Sequence, residues 1–329
     1  MINKLPFELI EYKILIKKPS ETSEKYGCAP EERKTEDIIE YGIINLDKPK
    51  GPTSHQVSAY VQKILGISKS GHSGTLDPAV TGILPVALGR ATRIVQTLLP
   101  AGKEYICLMH IHKQIEEKLL RKVLDDFLGK IRQLPPIKSA VKRVERTREI
   151  YYLEILEIQD QDVLFIVGCQ AGTYIRKLCD DIGKKLGCGA HMAELRRTKA
   201  GPFKEDESLS TLHDLTDAFY YYKNDGNDKF IRKIILTIEH AVSHIPQAWV
   251  LDTTVDSLCH GSDLKIPGIS KLNDQIIFSD MVAVMTLKNE LVAIGTAKMN
   301  SEEIMKKDKG VAVKIEKVFM QPGTYPRIS

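Results

Sequence analysis

A glycine-rich segment of the sequence holds one carboxylate in a setting suited to chemistry. It reads Gly71-His72-Ser73-Gly74-Thr75-Leu76-Asp77-Pro78. Glycine, aspartate and proline at this density predict a sharply bent loop with Asp77 at its tip. A carboxylate held in this way can act as a nucleophile or as a base. Asp77 could equally be an ordinary turn former, and the segment alone does not decide between the two roles.

Further strings of the sequence extend this pattern. The loop continues into Thr81-Gly82-Ile83-Leu84-Pro85-Val86-Ala87-Leu88-Gly89-Arg90-Ala91-Thr92, and three shorter strings follow in order: Lys103-Glu104-Tyr105, Ala171-Gly172-Thr173-Tyr174-Ile175-Arg176, and Gly189-Ala190-His191-Met192-Ala193-Glu194-Leu195-Arg196-Arg197-Thr198. Together with the first segment, these strings resemble the motifs of the TruB family of pseudouridine synthases. A match of this length and order is not a chance pattern.

The resemblance implies a role for each matched position. The catalytic carboxylate is Asp77, and Arg176 is the arginine that pairs with it. The positions expected to contact the target nucleoside are Tyr105, which packs against the base, Tyr174, Leu195 in an apolar pocket, and His72 as a substrate-side contact. Read without the resemblance, Tyr174 is more typical of a core residue and His72 of a turn.

The chemistry of these residues fits a uridine that has left the base stack. Such a base needs a stacking surface, and an aromatic face like that of Tyr105 contributes roughly 1 to 3 kcal/mol. A guanidinium beside a carboxylate favours its charged form and fixes its orientation, which is the function expected of Arg176. Asp77 could add to the uracil ring, capture C1′ of the ribose, or remove the C2′ proton. None of these routes needs a redox step or a group donor, so we expect no cofactor.

A basic segment between residues 134 and 148 is a candidate RNA contact. It contains five basic residues and a single acid, Glu145; the basic residues are Lys138, Lys142, Arg143, Arg146 and Arg148. In the TruB family the matching segment resembles a thumb loop, here about 134–150, whose cations would bind phosphates without reading sequence. An ordinary solvated loop is the alternative.

The elements around these motifs indicate an α+β protein. We expect a catalytic domain at 41–246, with a mixed, largely antiparallel sheet flanked by helices. Helices are predicted from Thr53 or Ser54 to Leu65, from Ile115 to Leu128 over about four turns, and from Tyr174 to Leu186. Strands are predicted at 42–46, 151–158, 163–169, 276–278, 282–287, 291–297 and 311–319.

The two ends of the chain read differently from its middle. Residues 247–329 resemble a PUA domain, a small RNA-binding β-barrel, with Gly261 in a glycine-containing loop that is a candidate RNA contact. Residues 1–40 are rich in Lys and Glu and predict an arm with little core of its own. The resemblance implies that this arm packs on the barrel. From Gln247 onward ten basic residues balance ten acids, so the net charge of +4 comes from the part before it.

The bulk composition of the 329 residues excludes several classes. No apolar run reaches the ~18 residues that span a bilayer, and no signal peptide is visible, so we expect a cytoplasmic protein without membrane contact. The cysteines are far apart and have no histidine at zinc spacing, which predicts no metal site.

Within the family, the sequence resembles the archaeal and eukaryotic branch typified by dyskerin, the catalytic subunit of H/ACA ribonucleoproteins. That resemblance implies a guide RNA, a substrate RNA, and small H/ACA proteins docking on the catalytic domain. The absence of lysine-rich tails favours an archaeal protein. Two alternatives remain: a stand-alone tRNA uridine-55-type synthase, and a non-catalytic RNA-binding scaffold.

Overall fold

The computed structural model describes residues 3–135 and 143–327. Nine α-helices lie within these ranges: α1 Thr35–Tyr41, α2 Ser54–Leu65, α3 Val95–Leu98, α4 Glu117–Asp125, α5 Ile175–Lys185, α6 Leu212–Asp225, α7 Lys229–Ile234, α8 Asp252–Cys259 and α9 Ser301–Lys306. Short 3-10 turns occur at Pro6–Leu9, Pro30–Glu32, Gly89–Ile94, Ile238–Val242 and Ile266–Gly268. Among these residues every helix is too short or too polar to cross a bilayer.

Eighteen strands lie in the same ranges: β1 Ile14–Ile16, β2 Gly42–Lys48, β3 Ser70–His72, β4 Thr81–Leu88, β5 Lys103–Ile111, β6 Gly129–Gln133, β7 Arg146–Gln159, β8 Asp162–Cys169, β9 Ala190–Ala200, β10 Phe203–Lys204, β11 Leu209–Ser210, β12 Ile235–Thr237, β13 Gln247–Val250, β14 Leu264–Lys265, β15 Ile269–Asn273, β16 Met281–Thr286, β17 Leu291–Ala297 and β18 Val311–Val318. Helices and a mixed sheet occur together, which confirms the predicted α+β class.

The chain divides into two compact units. Residues 3–9 and 42–236 form the first unit, and residues 10–41 and 237–327 form the second. The segment predicted as an N-terminal arm, 1–40, is therefore shared between them, with 3–9 in the first unit and 10–40 in the second.

The first unit is built on an eleven-stranded sheet with the order β11-β2-β4-β9-β5-β8-β7-β6, to which β3, β10 and β12 add at β4, β9 and β2. The β11–β2 and β4–β9 pairs are parallel. The antiparallel pairs are β2–β4, β9–β5, β5–β8, β8–β7, β7–β6, β3–β4 and β10–β9. Helices α4 and α5 cover one apolar core, where Leu120, Phe165 and Leu178 are buried. Apolar residues along α5 recur every three to four positions, as a buried helix face requires.

The second unit carries a seven-stranded sheet with the order β1-β15-β13-β16-β17-β18-β14. Its buried core includes Val250, Leu258 and Val284. The short strand β1 pairs with β15 at the edge, so this part of the N-terminal segment is hydrogen-bonded into the sheet.

Two predicted elements were wrong in extent, and a third does not form. The strand expected at 151–158 starts already at Arg146, so residues 146–150 of the predicted thumb loop belong to β7. The helix expected from Ile115 to Leu128 ends at Asp125, because Phe127 and Leu128 turn back on Leu124 and Asp125 before strand β6 starts at Gly129. Leu119 and Leu128 are exposed.

The strand expected at 276–278 does not form. Gln275 and Ser279 have φ angles of 61° and 74°, and the Asp280 carboxylate accepts a hydrogen bond from the Ile277 amide at 2.9 Å. The run is a turn, and Ile277 and Phe278 are exposed. A three-residue apolar run is too short for periodicity to separate a strand from a turn.

Candidate active site

The Asp77 carboxylate meets the Arg176 guanidinium across 99 positions of sequence. Asp77 lies in the loop between β3 and β4, and Arg176 lies in the first turn of α5. Arg176 donates a hydrogen bond to Asp77 Oδ2, and the two side chains are 56% and 55% exposed. An ion pair this open contributes only about 0 to 1 kcal/mol to folding, so its geometry matters more than its strength.

Ser54 anchors the residue that precedes Asp77. The Ser54 hydroxyl in the first turn of α2 accepts a hydrogen bond from the Leu76 amide at 2.9 Å and donates to the Leu76 carbonyl at 3.2 Å. Thr53 caps the same helix end in a capping box with Gln56. The helix terminus and the loop are thus joined by one buried hydroxyl.

A buried lysine anchors the residues that follow Asp77. The Lys48 ammonium donates to the carbonyls of Pro49 at 2.9 Å, Pro78 at 3.3 Å and Val80 at 2.9 Å, and the side chain is fully buried. Burial lowers the pKa of Lys48, while the charge of Asp77 raises it. With Leu76 held on one side and Pro78 on the other, little freedom is left to the backbone of Asp77.

Tyr105 lies on β5. Burial raises the pKa of its phenol, the Arg197 guanidinium opposes the rise, and the charge of Asp77 adds to it. Tyr105 and Leu195 both pack against the core beneath α5. The structure therefore brings Asp77 and Arg176 into contact, and Tyr105 lies near enough for the charge of Asp77 to affect the pKa of its phenol. Leu195 lies on the neighbouring strand β9.

Arg197 lies beneath this group and is only 1% exposed. It pairs with Tyr105 across β5 and β9, its Nε donates to the Ile83 carbonyl at 2.7 Å, and a terminal nitrogen reaches the Gly74 carbonyl at 3.4 Å. Close approach of β9 to β4 depends on Gly82, whose φ is +100° and where a Cβ would lie 2.2 Å from the Arg197 carbonyl oxygen.

Tyr174 is the residue before α5, and a buried amide holds its backbone. Gln133 at the end of β6 accepts from the Tyr174 amide at 2.9 Å and donates to the Tyr174 carbonyl at 3.1 Å. This clamp sets the start of the helix that carries Arg176. The contact of Tyr174 with a substrate stays a prediction.

His72 packs against α2. Its ring meets the ring of His55 edge-on with centroids 4.8 Å apart, and burial, with His55 and Arg197, lowers its pKa. A neutral imidazole is the form this position favours. Substrate contact by His72 remains a prediction.

The predicted RNA-binding residues fall in different places. Lys138 and Lys142 lie outside the described residues, Arg143 is exposed, and Arg146 begins β7. The Arg148 guanidinium lies over Gly172, where an added Cβ would come within 3.2 Å of it. In the second unit Gly261 follows α8 at φ +87° and is exposed, so glycine is needed there for the backbone turn.

Sequence reasoning missed four polar residues that hold these groups: Lys48, Ser54, Gln133 and Arg197. One of them left a signal. Neighbouring residues of a strand face opposite sides of the sheet, so of the adjacent pair Arg196-Arg197 in β9 one arginine had to point inward. The other three hold backbone groups far away in sequence and leave no local pattern.

Family models match almost the entire chain. The model described as "TruB family pseudouridylate synthase (N terminal domain)" matches residues 62–118 and 110–175, and "tRNA pseudouridylate synthase B C-terminal domain" matches 176–243. The "PUA domain" model matches 246–319, and the "DKCLD (NUC011) domain" model matches 2–58. Both the catalytic and the PUA expectations are thereby confirmed.

Curated relatives and solved structures agree with these models. "Probable tRNA pseudouridine synthase B" of Pyrococcus abyssi is 55% identical over 98% of this chain and 97% of its own length, and that of Nanoarchaeum equitans is 53% identical over 98% and 92%.

Among solved structures, a chain in "Crystal Structure of a Cbf5-Nop10-Gar1 Complex" is 55% identical, with a TM-score of 0.95 and 99% of each chain covered. A chain in "Structure of H/ACA RNP bound to a substrate RNA containing 2'-deoxyuridine" is 52% identical, with a TM-score of 0.93 and 99% of each chain covered. The protein therefore belongs to the TruB family of pseudouridine synthases, isomerases that act on RNA.

Proposed function

We propose that this chain is the catalytic subunit of an H/ACA-type ribonucleoprotein and isomerises uridines of rRNA that a guide RNA selects, with tRNA as a further substrate. The observation that carries the proposal is the Asp77–Arg176 pair. Tyr105 is near enough for the charge of Asp77 to affect the pKa of its phenol. Likeness over 99% of the chain to proteins solved within a Cbf5-Nop10-Gar1 complex and an H/ACA ribonucleoprotein supports the guided form. Small proteins of that kind and a guide RNA are its partners.

Asp77 is the group that attacks or deprotonates the nucleoside. In the reaction the C1′–N1 bond breaks and a C1′–C5 bond forms, C5 loses a proton and N1 gains one, so the atoms balance without a cofactor. Tyr105 supplies the stacking face and Leu195 an apolar wall, while Tyr174 and His72 contact the substrate side. Arg176 keeps the carboxylate ionised and oriented once RNA excludes water, since a guanidinium favours the charged form of its neighbour.

The exposure of the pair fits a site that RNA completes. More than half of each side chain faces solvent in the free protein. A bound nucleotide would remove this water, and electrostatic interactions strengthen in a drier site. The same two charges that add little to folding can therefore act strongly on a bound uridine.

RNA binding is divided between the units. In the domains we propose, 41–246 is catalytic, and the thumb predicted at about 134–150 is the segment between β6 and β7 together with the start of β7. Its Lys138, Lys142, Arg143, Arg146 and Arg148 contact phosphates. Residues 247–329, with Gly261, form an RNA-binding PUA domain, and residues 10–40 of the N-terminal segment pack on it. Phosphate contacts of this kind supply affinity and make it depend on salt.

A second function, stand-alone modification of tRNA, is favoured by the names of the curated relatives. Each is described as a probable tRNA pseudouridine synthase B. A non-catalytic RNA-binding scaffold is disfavoured, because the sequence retains Asp77, Tyr105 and Arg176 together.

The test is isomerisation by the purified protein, assembled with Nop10 and Gar1 proteins, of an rRNA fragment and of a tRNA transcript. Each RNA is assayed with a matched guide, with a guide whose pairing arms are shifted by one nucleotide, and without guide. The proposal predicts product in rRNA only with the matched guide, at the addressed uridine. Turnover of tRNA together with no guide-dependent product in rRNA would establish the stand-alone alternative. No turnover on either RNA would contradict both functions.

A further inference from the structure

Arg197 is a buried cation that the reaction described above does not use. Among the described residues its hydrogen bonds go to the carbonyls of Ile83 and Gly74, which are neutral oxygens. Its direct partner across the β5–β9 pair is Tyr105, whose phenol interacts electrostatically with the guanidinium. Its neighbour Arg196 differs, because it binds Asp47 through two nitrogens at 3.0 and 2.9 Å and Glu205 at 2.6 Å. Arg196 therefore forms ordinary structural ion pairs with carboxylates, whereas the hydrogen bonds of Arg197 within the described part of the chain go to carbonyls.

Burying a charge without a counter-charge is costly. Desolvation of an ion in a protein interior costs several kcal/mol, and an apolar residue of similar volume is often as good or better for folding. Burial lowers the pKa of the Arg197 guanidinium, although the Tyr105 phenol opposes this. If only strand packing were needed at this position, an apolar side chain would serve, so a further use of the guanidinium is indicated.

Arg197 connects three different elements, through two hydrogen bonds and through its strand pairing with Tyr105. Ile83 lies on β4, Tyr105 on β5, and Gly74 lies in the loop three residues before Asp77. A planar guanidinium with donors in fixed directions sets the mutual positions of such acceptors, which a flexible ammonium does not. The aromatic face and the loop that carries the carboxylate are thus connected through one side chain.

We propose that Arg197 is a positioning residue, which fixes the Tyr105 phenol relative to the loop that presents Asp77. The inference rests on the proposed function, because the distance between Tyr105 and Asp77 matters only if both residues act on the same nucleoside. Lys48 and Ser54 hold that loop at Pro78 and Leu76, whereas Arg197 holds it at Gly74 and is the contact that includes Tyr105. It touches no substrate, and acts through the residue it orients.

A double-mutant cycle tests the proposal. The single-turnover rate and the RNA dissociation constant are measured for wild type, Arg197→Lys, Tyr105→Phe and the double variant, with Arg196→Lys as the matched control. We expect Arg197→Lys to lower the rate at least about tenfold, or about 1.4 kcal/mol, with a dissociation constant within about twofold of wild type. In the Tyr105→Phe background the same change should cost less than about threefold, and Arg196→Lys should stay within about twofold throughout.

A second readout does not depend on activity. Carbon-13 at Cζ of the twelve tyrosines reports the environment of each phenol, and the signal missing from Tyr105→Phe identifies Tyr105. Arg197→Lys should move that signal, whereas Arg196→Lys should leave it unmoved. The same spectra show whether a variant is folded. Arg197→Met, which removes the charge, provides a second variant for the same measurement.

The outcomes separate this proposal from the proposed function. Equal rate losses from Arg197→Lys with and without the Tyr105 hydroxyl, or an unmoved Tyr105 signal, would overturn the positioning role while wild type still turns over. An inactive wild type in the same assay would count against the proposed function, and the Cζ signal would still decide whether Arg197 orients Tyr105.

Discussion

The exposed and the buried charges of the first unit differ in what they can do. Asp77 and Arg176 are 55% and 56% exposed, whereas Lys48 and Arg197 just beneath them are 0% and 1% exposed. An exposed pair adds little to stability and is free to interact with a ligand, while a buried ion must be fully hydrogen-bonded to be tolerated. In this site the exposed charges are available to a ligand, and the buried charges hold the backbone in place.

The largest effect on stability should come from the buried lysine. Lys48→Met removes the donor that serves the carbonyls of Pro49, Pro78 and Val80. Leaving such buried acceptors unpaired should lower the free energy of unfolding by about 3 kcal/mol. Chemical denaturation measures it, with exposed Lys50→Met as the control, which should change it by less than about 0.5 kcal/mol. Similar losses of unfolding free energy in both variants would contradict the difference drawn between buried and exposed charges.

The exposed arginine should show the opposite behaviour. Arg176→Lys replaces a planar fork by a point charge, so Asp77 loses its fixed orientation. We expect about a 100-fold lower single-turnover rate, equivalent to about 2.7 kcal/mol, with a smaller loss of RNA affinity and unchanged stability. Rate, dissociation constant and melting temperature are measured together. Equal losses of rate and of binding would make the arginine mainly a binding residue.

A smaller effect concerns pH and a second buried lysine. Burial, aided by the charge of Arg197, lowers the pKa of Lys103 to about 7. An unfolded lysine stays protonated to about pH 10.4, so between about pH 7 and 10 the unfolded chain binds more protons and stability rises with pH. Lys103→Met should remove this contribution to the slope of unfolding free energy against pH, and exposed Lys130→Met should retain it. Identical slopes in wild type and Lys103→Met would refute the assignment.

Sequence reasoning identified the exposed residues Asp77 and Arg176 and missed the buried residues Lys48 and Arg197. Asp77 lies in a dense motif of turn formers, and Tyr105 and Arg176 were found through the resemblance of their strings to the family's motifs. Lys48 and Arg197 act on carbonyls 30 and 123 positions away, and a backbone carbonyl has no sequence signature.

In the fold, too, features set by neighbouring residues were predictable, and features set by contacts elsewhere were not. Helix α2 was predicted correctly because Thr53 caps it and Gly66, with φ +67°, ends it. The run at 276–278 was mistaken for a strand, since the bond from Ile277 to Asp280 that makes it a turn is not visible in its composition. Caps follow from the sequence, whereas short apolar runs depend on what surrounds them.

The chain offers a matched pair of aspartates for the central claim. Asp77 binds Arg176, and Asp47 binds Arg196 within the same unit. Asp77→Asn and Asp47→Asn make the same chemical change in both pairs, so the single-turnover rate of uridine isomerisation and the melting temperature of each variant separate catalysis from structure.

Asp77→Asn is expected to lose at least about a thousandfold in rate, or about 4 kcal/mol, with a melting temperature within about 2 °C of wild type. Asp47→Asn is expected to keep the wild-type rate within about threefold and to lose about 1 kcal/mol of stability. Turnover retained by Asp77→Asn would contradict the assignment of Asp77 as the reacting carboxylate.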